Sequence, residues 1–199
     1  MNWLHKSTIY AAALISFSTF SSGEDTSDIP TPDSSDFEKG QHLFRTAGGY
    51  GCSTCHGLFA QGGGNAGGNI RGKGLDALNL ILDKEPTMKL LGPTLTSEDR
   101  RRLSIYVGEL GTLNLVEWTI EKEAILQNGE FAANIENQLV IVNKTFEPVE
   151  LNLLGVISRN PVSINPYETK AFQWNPDGNS LDLKPSNYEL NIQTINELK

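Results

Sequence analysis

Cys52 and Cys55 are the only two cysteines of this 199-residue chain, and His56 stands directly behind the second. Two thiols separated by Ser53 and Thr54 admit three chemistries. A redox-active dithiol of the thioredoxin type follows a strand within a βαβ unit, whereas a helical pattern precedes this pair and no βαβ pattern surrounds it. A zinc site needs two further Cys or His ligands, and beyond the N-terminal segment His42 is the one remaining candidate. The third chemistry is covalent attachment of one haem c. Cys52 and Cys55 then form thioethers with the porphyrin vinyl groups, and His56 is the proximal ligand of the iron. The spacing has a mechanical reason: two intervening residues let both sulfurs reach adjacent edges of one ring, and the next residue places its imidazole beneath the metal. The motif points to haem.

These residues need elements to hold them. Asp36 or Ser35 is a plausible N-cap, and Phe37, Gly40 and Phe44 recur at helical spacing, which predicts a helix from about 36 to 46. A loop from Ala47 to Gly74 follows, holding eleven of the chain's 19 glycines. Residues without Cβ and with free φ suit a backbone that wraps closely against a large flat ring. Gly62, Gly64 and Gly67 also spell G-x-G-x-x-G, and Gly67, Gly72 and Lys73 nearly spell a Walker A loop. Neither follows an apolar strand or opens the right helix, so both are coincidences of composition. Leu75, Leu78 and Leu82 predict a second helix. A third runs from Thr96 as N-cap to Gly111, with Glu98 and Asp99 in its first turn and an apolar stripe of Leu103, Tyr106, Val107 and Leu110.

Helix, C-x-x-C-H-G, Gly-rich loop, short helix, Met-bearing loop and aromatic-bearing terminal helix together resemble a small class I c-type cytochrome domain over residues 36–111. In that family the first and last helices cross at a small residue, and Gly40, Phe44 and Tyr106 match the crossing. The resemblance assigns Met88, 32 residues after His56, as the distal axial ligand. A thioether favours ferrous iron relative to a second imidazole and raises the potential. His42, two positions from Phe44 and off the buried stripe, is the weaker candidate. Where the family has Gly-Pro, whose Pro carbonyl accepts the proximal imidazole N–H, this chain reads Gly67-Gly68-Asn69-Ile70. The accepting carbonyl is therefore open. Arg71 and Lys73 resemble the basic residues that pair with haem propionates; a solvated loop charge is the competing reading.

Beyond Gly111 short alternating runs at 139–142, 149–154, 162–164, 171–174, 181–183 and 188–192 lie between turn clusters, which predicts a β-sandwich. The expected fold class is thus an all-α cytochrome c fold followed by an all-β immunoglobulin-like sandwich over 112–199. Alternation is expected to bury Leu139, Ile141, Leu151 and Leu153, with "NKTFEP" as a hairpin-like turn and Trp118 and Trp174 as core anchors. The run "ENQLVIVNKT" resembles the C-terminal immunoglobulin-like module of FixG-type accessory proteins, whose wider family assists respiratory-oxidase maturation. Residues 112–199 contain no His, Cys or Met, which excludes blue copper. Asn143-Lys144-Thr145 fits a glycosylation sequon.

Residues 1–23 have a short start carrying Lys6, an apolar stretch from Ile9 to Phe20 and small residues after it, the order of a secretory signal peptide. The apolar run is well short of the ~20 residues that cross a bilayer. An uncleaved anchor is the alternative, and no other segment is apolar enough to span. Residues 24–35 read as a flexible acidic linker. The balance of 24 acidic against 16 basic residues argues against nucleic acid and favours a basic protein partner. These features lead to an expectation of a periplasmic or secreted electron carrier. It would have no substrate turnover of its own, would serve a membrane respiratory complex or a periplasmic dehydrogenase, and would dock through the strand-rich part. The alternative is a haem sensor or respiratory-oxidase accessory protein with a displaceable Met88.

Overall fold

The structure, a computed structural model, describes residues 34–153, 156, 161–175, 184–185 and 191–194. The expected signal peptide, residues 1–23, and all but the last two positions of the acidic linker lie outside the described residues. Helix α1 (Ser34–Thr46) carries Asp36 in its first turn and Arg45 in its last, each complementing the helix dipole. The single turn α2 (Ser53–His56) holds most of the thiol–imidazole motif. It is followed by α3 (Leu75–Lys84), the single turn α4 (Pro86–Lys89) and α5 (Ser97–Leu110). A capping box starts α5: the Thr96 hydroxyl accepts from the Asp99 N–H, and the Asp99 carboxylate accepts from the Thr96 N–H.

The predicted stripe of α5 is buried in full, and α1 crosses it at Gly40. A Cβ on Gly40 would overlap the Arg102 carbonyl and stand 2.9 Å from the Tyr106 Cβ, so only glycine permits this approach. Phe37 and Phe44 flank the contact, their rings 5.2 and 5.3 Å from that of Tyr106. On α3, Leu82 is buried, Leu78 half-buried and Leu75 exposed, so the three leucines mark one face of which only the C-terminal end is covered.

Strands β1 (Asn114–Ile120), β2 (Ala124–Asn128), β3 (Asn137–Asn143), β4 (Val149–Asn152), β5 (Val162–Ile164), β6 (Thr169–Trp174), β7 (Lys184–Pro185) and β8 (Asn191–Thr194) make two sheets. The larger has the order β6-β3-β1-β2-β8 and the smaller β5-β4-β7. In the larger sheet β1 runs parallel to β3 and β2 parallel to β8, while β1–β2 and β3–β6 are antiparallel. The sheets share one apolar cluster, in which Leu139, Ile141, Leu151 and Leu153 are buried as expected, with Trp118 and Trp174 among them.

This arrangement overturns the expected fold class of an all-α cytochrome c fold followed by an all-β immunoglobulin-like sandwich. Among the described residues the chain is mixed α/β, with five α-helices and two sheets, and these residues all belong to one compact unit. Only residues 111–113 separate α5 from β1, and their amides bond back to the last turn of the helix. Leu113 packs on the helical core. "NKTFEP" is not a hairpin turn either, because β3 and β4 belong to different sheets and the segment carries the chain across. Asn143, fully buried, makes that crossing possible: its amide nitrogen donates to the carbonyls of Glu147, Ile164 and Asn165, and its oxygen accepts from Thr145. The sequon asparagine is thus a structural bracket with no free amide. The predicted run at 181–183 lies outside the described residues, as do 188–190 of the last one.

Candidate functional site around the thiol pair and His56

Cys52 caps α2, and its carbonyl accepts from the amides of Cys55 and His56 at 3.1 and 2.9 Å. One helical turn therefore carries both sulfurs and the imidazole. Neither cysteine is in a disulfide; Cys52 is buried and Cys55 half-buried. Burial pushes the Cys52 thiol up to about 11, and the neighbouring Cys55 adds to the effect. A redox-active dithiol has the opposite environment, one that lowers the pKa of its attacking thiol.

Three carbonyls at the end of this turn need donors, and the Gly-rich loop supplies them. The amides of Asn65, Gly67 and Gly62 donate to the carbonyls of Thr54, Cys55 and His56 at 3.0, 2.8 and 2.8 Å. This contact gives the glycines a role that the sequence pattern attributed to a ring surface. A Cβ at Gly64 would overlap the Cys55 backbone, and one at Gly67 would stand 2.5 Å from His56 Nδ1. What the loop presses against is the motif itself.

The same fold-back settles the hydrogen bond left open by the missing Gly-Pro. His56 Nδ1 lies 2.8 Å from the Gly68 carbonyl, twelve residues on. A carbonyl can only accept, so Nδ1 is the donor, and in the neutral imidazole Nε2 then keeps its lone pair. A metal-ligating histidine needs this division between its two nitrogens.

Met88 lies on α4, a single turn where a loop was expected, half-buried against the helical core to which Cys52 also belongs. His42 is exposed on α1. Lys73 is exposed as well. Among the described residues no three His, Cys, Asp or Glu side chains converge on a common point.

Arg71 takes none of its hydrogen-bond acceptors from the thiol turn and reaches toward the strands. Its Nη1 donates to the Phe59 carbonyl at 3.3 Å and to Gln138 Oε1, and its Nη2 to the Leu113 carbonyl at 3.4 Å. All three acceptors are neutral, and burial lowers the guanidinium pKa to about 10. Nearby, the buried Tyr106 hydroxyl has no hydrogen-bond partner among the described residues; Gln41 approaches it without adopting bonding geometry. Sequence reasoning missed Gln138. Its signal was a polar residue inside "NQLVIV", on the face opposite Leu139 and Ile141.

No family model, curated protein or solved structure matches the chain.

Proposed function

We propose that the chain is an exported electron carrier of the c-type cytochrome class, holding one covalent haem c through Cys52 and Cys55 with His56 and Met88 as axial ligands. The observation that carries this reading is the His56–Gly68 hydrogen bond, which commits Nδ1 and leaves Nε2 as the coordinating nitrogen. Free cysteines on the same turn, a glycine loop that admits no side chain beside the imidazole, and an orphaned buried hydroxyl at Tyr106 fit the same group.

Haem supplies a one-electron couple between ferric and ferrous iron. The chain's own residues fix its setting. Cys52 and Cys55 anchor it, Gly67 and Gly68 orient His56, and Met88 brings a soft sulfur that favours the reduced state. If His56 and Met88 both hold the iron, the chain would leave no site there for a substrate, and its partner would be another redox protein. An acidic chain, with net charge −8, suits a partner of basic surface. No helix among the described residues is long and apolar enough to cross a membrane.

The test is retention of pigment. Protein matured with a competent attachment system should keep its colour through denaturation and extraction with acidified organic solvent, and Cys52→Ala with Cys55→Ala should lose it. Pigment that extracts from the native sequence would end the reading.

One observation favours a second reading, a haem sensor or oxidase accessory protein. Met88 sits on the single helical turn α4 and is only half-buried there. A ligand held by so little structure is displaceable. Rapid carbon monoxide binding by the ferrous protein would favour the sensor, and a persistent Met-to-iron charge-transfer band the carrier.

A further inference from the structure

Arg100, Arg101 and Arg102 are consecutive on α5, yet they reach different neighbours. Arg101 and Arg102 pair with Asp36 and Glu98 and tie α5 to α1. Arg100 forms no ion pair among the described residues. It is half-buried, and its fork joins two neutral oxygens: Nη1 donates to Asn79 Oδ1 on α3 at 3.2 Å, and Nη2 donates to the Gly92 carbonyl at 3.0 Å. Its buried Nε–H has no acceptor among the described residues. An orphaned buried donor is a cost, which the two bonds of the fork have to outweigh for the side chain to stay inward. Gly92 lies four residues after Met88, in the segment between α3 and α5. The Leu91 amide donates to the Met88 carbonyl at 3.0 Å, and the Thr94 amide and hydroxyl donate to the Leu91 carbonyl at 3.0 and 2.8 Å. These local bonds shape the segment without fixing it to the rest of the fold. Leu91 fixes its apolar side: it is buried, and a Cβ on Gly48, four residues before Cys52, would overlap its Cδ2. The segment that carries Met88 thus lies beside the stretch that leads into the thiol turn. Among the described residues, the bond from Arg100 is the one hydrogen bond that reaches residues 86–94 from a distant part of the chain.

We propose that Arg100 is a positioning residue for Met88. Its fork holds the Gly92 carbonyl to α3, and with it the turn that carries the Met88 sulfur. The single turn α4 gives Met88 little support of its own, and Arg100 supplies that support from α5. On this account Arg100 sets the fraction of time for which the sulfur stays on the iron, and so how far the protein is closed to an external ligand. The inference rests on the haem reading above and concerns the distal ligand of the same site.

The experiment is a titration of the ferric, full-length holoprotein with imidazole, which competes with Met88 and binds in proportion to the fraction of molecules whose sulfur is off the iron. Arg100→Leu, which keeps an apolar stem and removes the fork, should raise the apparent affinity about tenfold. Arg100→Lys, which keeps the charge but reaches one acceptor at a time, should raise it severalfold. Added to Met88→Ala, Arg100→Leu should have no further effect, since the iron is already open. Arg102→Gln is the control: it loosens the tie between α1 and α5 and should lower the melting temperature while leaving the imidazole affinity at its wild-type value. Amide exchange reads the clamp apart from the iron, and the Leu91 and Thr94 amides should exchange severalfold faster in Arg100→Leu. Wild-type affinity or wild-type exchange in folded Arg100→Leu, an undiminished effect of that change in the Met88→Ala background, or an equal rise in Arg102→Gln overturns the inference. Should Arg100→Leu fail to fold, Arg100→Lys and Asn79→Ala carry the test: both must raise the affinity, and wild-type values overturn the inference. A Met88→Ala protein with wild-type affinity overturns the axial assignment and the inference with it. Pigment that extracts from the wild type overturns the haem reading itself, whereas retained pigment with an unmoved Arg100→Leu affinity overturns only the role of Arg100.

Discussion

Gly67 lies so close to His56 that a methyl group on its Cα would stand 2.5 Å from the imidazole Nδ1. The ring cannot yield without leaving the Gly68 carbonyl, which accepts from that same nitrogen at 2.8 Å. One glycine thus guards both the position and the tautomer of the proposed proximal ligand. Gly67→Ala should leave the thioether linkages intact and disturb axial ligation. The expected result is a covalently pigmented protein with a mixed-spin ferric spectrum and a stability loss of about 1–3 kcal/mol from overpacking. Electron paramagnetic resonance and a thermal melt check both halves. A wild-type low-spin signal would mean that the ring does not depend on this contact.

Met88 can be a core filler or an iron ligand, and the two roles separate in one variant. As filler, half-buried on a single turn, it contributes only packing, and Met88→Ala would lower the melting temperature without touching the potential. As ligand it stabilises ferrous iron. Its removal should then raise the ferric-to-ferrous ratio at the wild-type midpoint well beyond tenfold, abolish the Met-to-iron charge-transfer band and open the iron to carbon monoxide.

The parts of this structure that could be read from residue order are those governed by local rules. The Thr96 cap and the Leu103–Leu110 stripe follow from helical period and cap chemistry, which act within a few residues, whereas the aromatic crossing at Gly40, which joins distant segments, was expected only from the cytochrome resemblance. Strand β1 has a clean alternation that buries Val116, Trp118 and Ile120. It was nonetheless hidden, since it starts four residues after α5 with no turn cluster to announce it. The parallel pairings of β1 with β3 and β2 with β8 join segments far apart in the chain, and no local pattern encodes them. The Arg71–Gln138 contact is hidden for the same reason, as it spans 67 positions. The expected all-α then all-β division failed at this point: segregated texture along a sequence does not show whether the two textures pack as one unit. The Gly68 carbonyl was not foreseeable because every residue offers one, and only the fold-back of the glycine loop selects it.

Asp36 ties α1 to α5 through Arg101 Nη2 at 2.5 Å and Arg102 Nε at 3.1 Å, while Glu98 shares the same two arginines. Hydrogen bonding to Arg101, reinforced by Arg102, holds the Asp36 carboxyl below its ordinary value of 3.8, and Arg101 does the same for Glu98. A carboxylate with a depressed folded-state pKa contributes stability that is present above the unfolded value and lost as pH falls through the folded one. The melting temperature should accordingly fall as pH drops below about 4. Asp36→Asn should be less stable at neutral pH and show a shallower acid slope. The network is close to solvent, so the difference between the two proteins should shrink in high salt. Parallel acid slopes would indicate that the cluster contributes nothing to stability.

Cys52 allows a test that needs no haem. Its thiol is pushed up to about 11 by burial, with Cys55 adding to the effect, against about 8.5 for a free cysteine. The sign follows: the folded chain favours the neutral thiol, so this contribution to stability is complete below the unfolded pKa and disappears as pH rises through about 11. Alkylating reagents attack the thiolate. At pH 8 the haem-free folded chain should therefore label Cys52 at least about a hundredfold more slowly than the same chain in denaturant, with the rate climbing steeply toward pH 11. Mass spectrometry of the peptide bearing both cysteines reads the two sites separately. Equal labelling of Cys52 in folded and denatured chains would place its sulfur in solvent and bring dithiol redox chemistry back into contention for the motif.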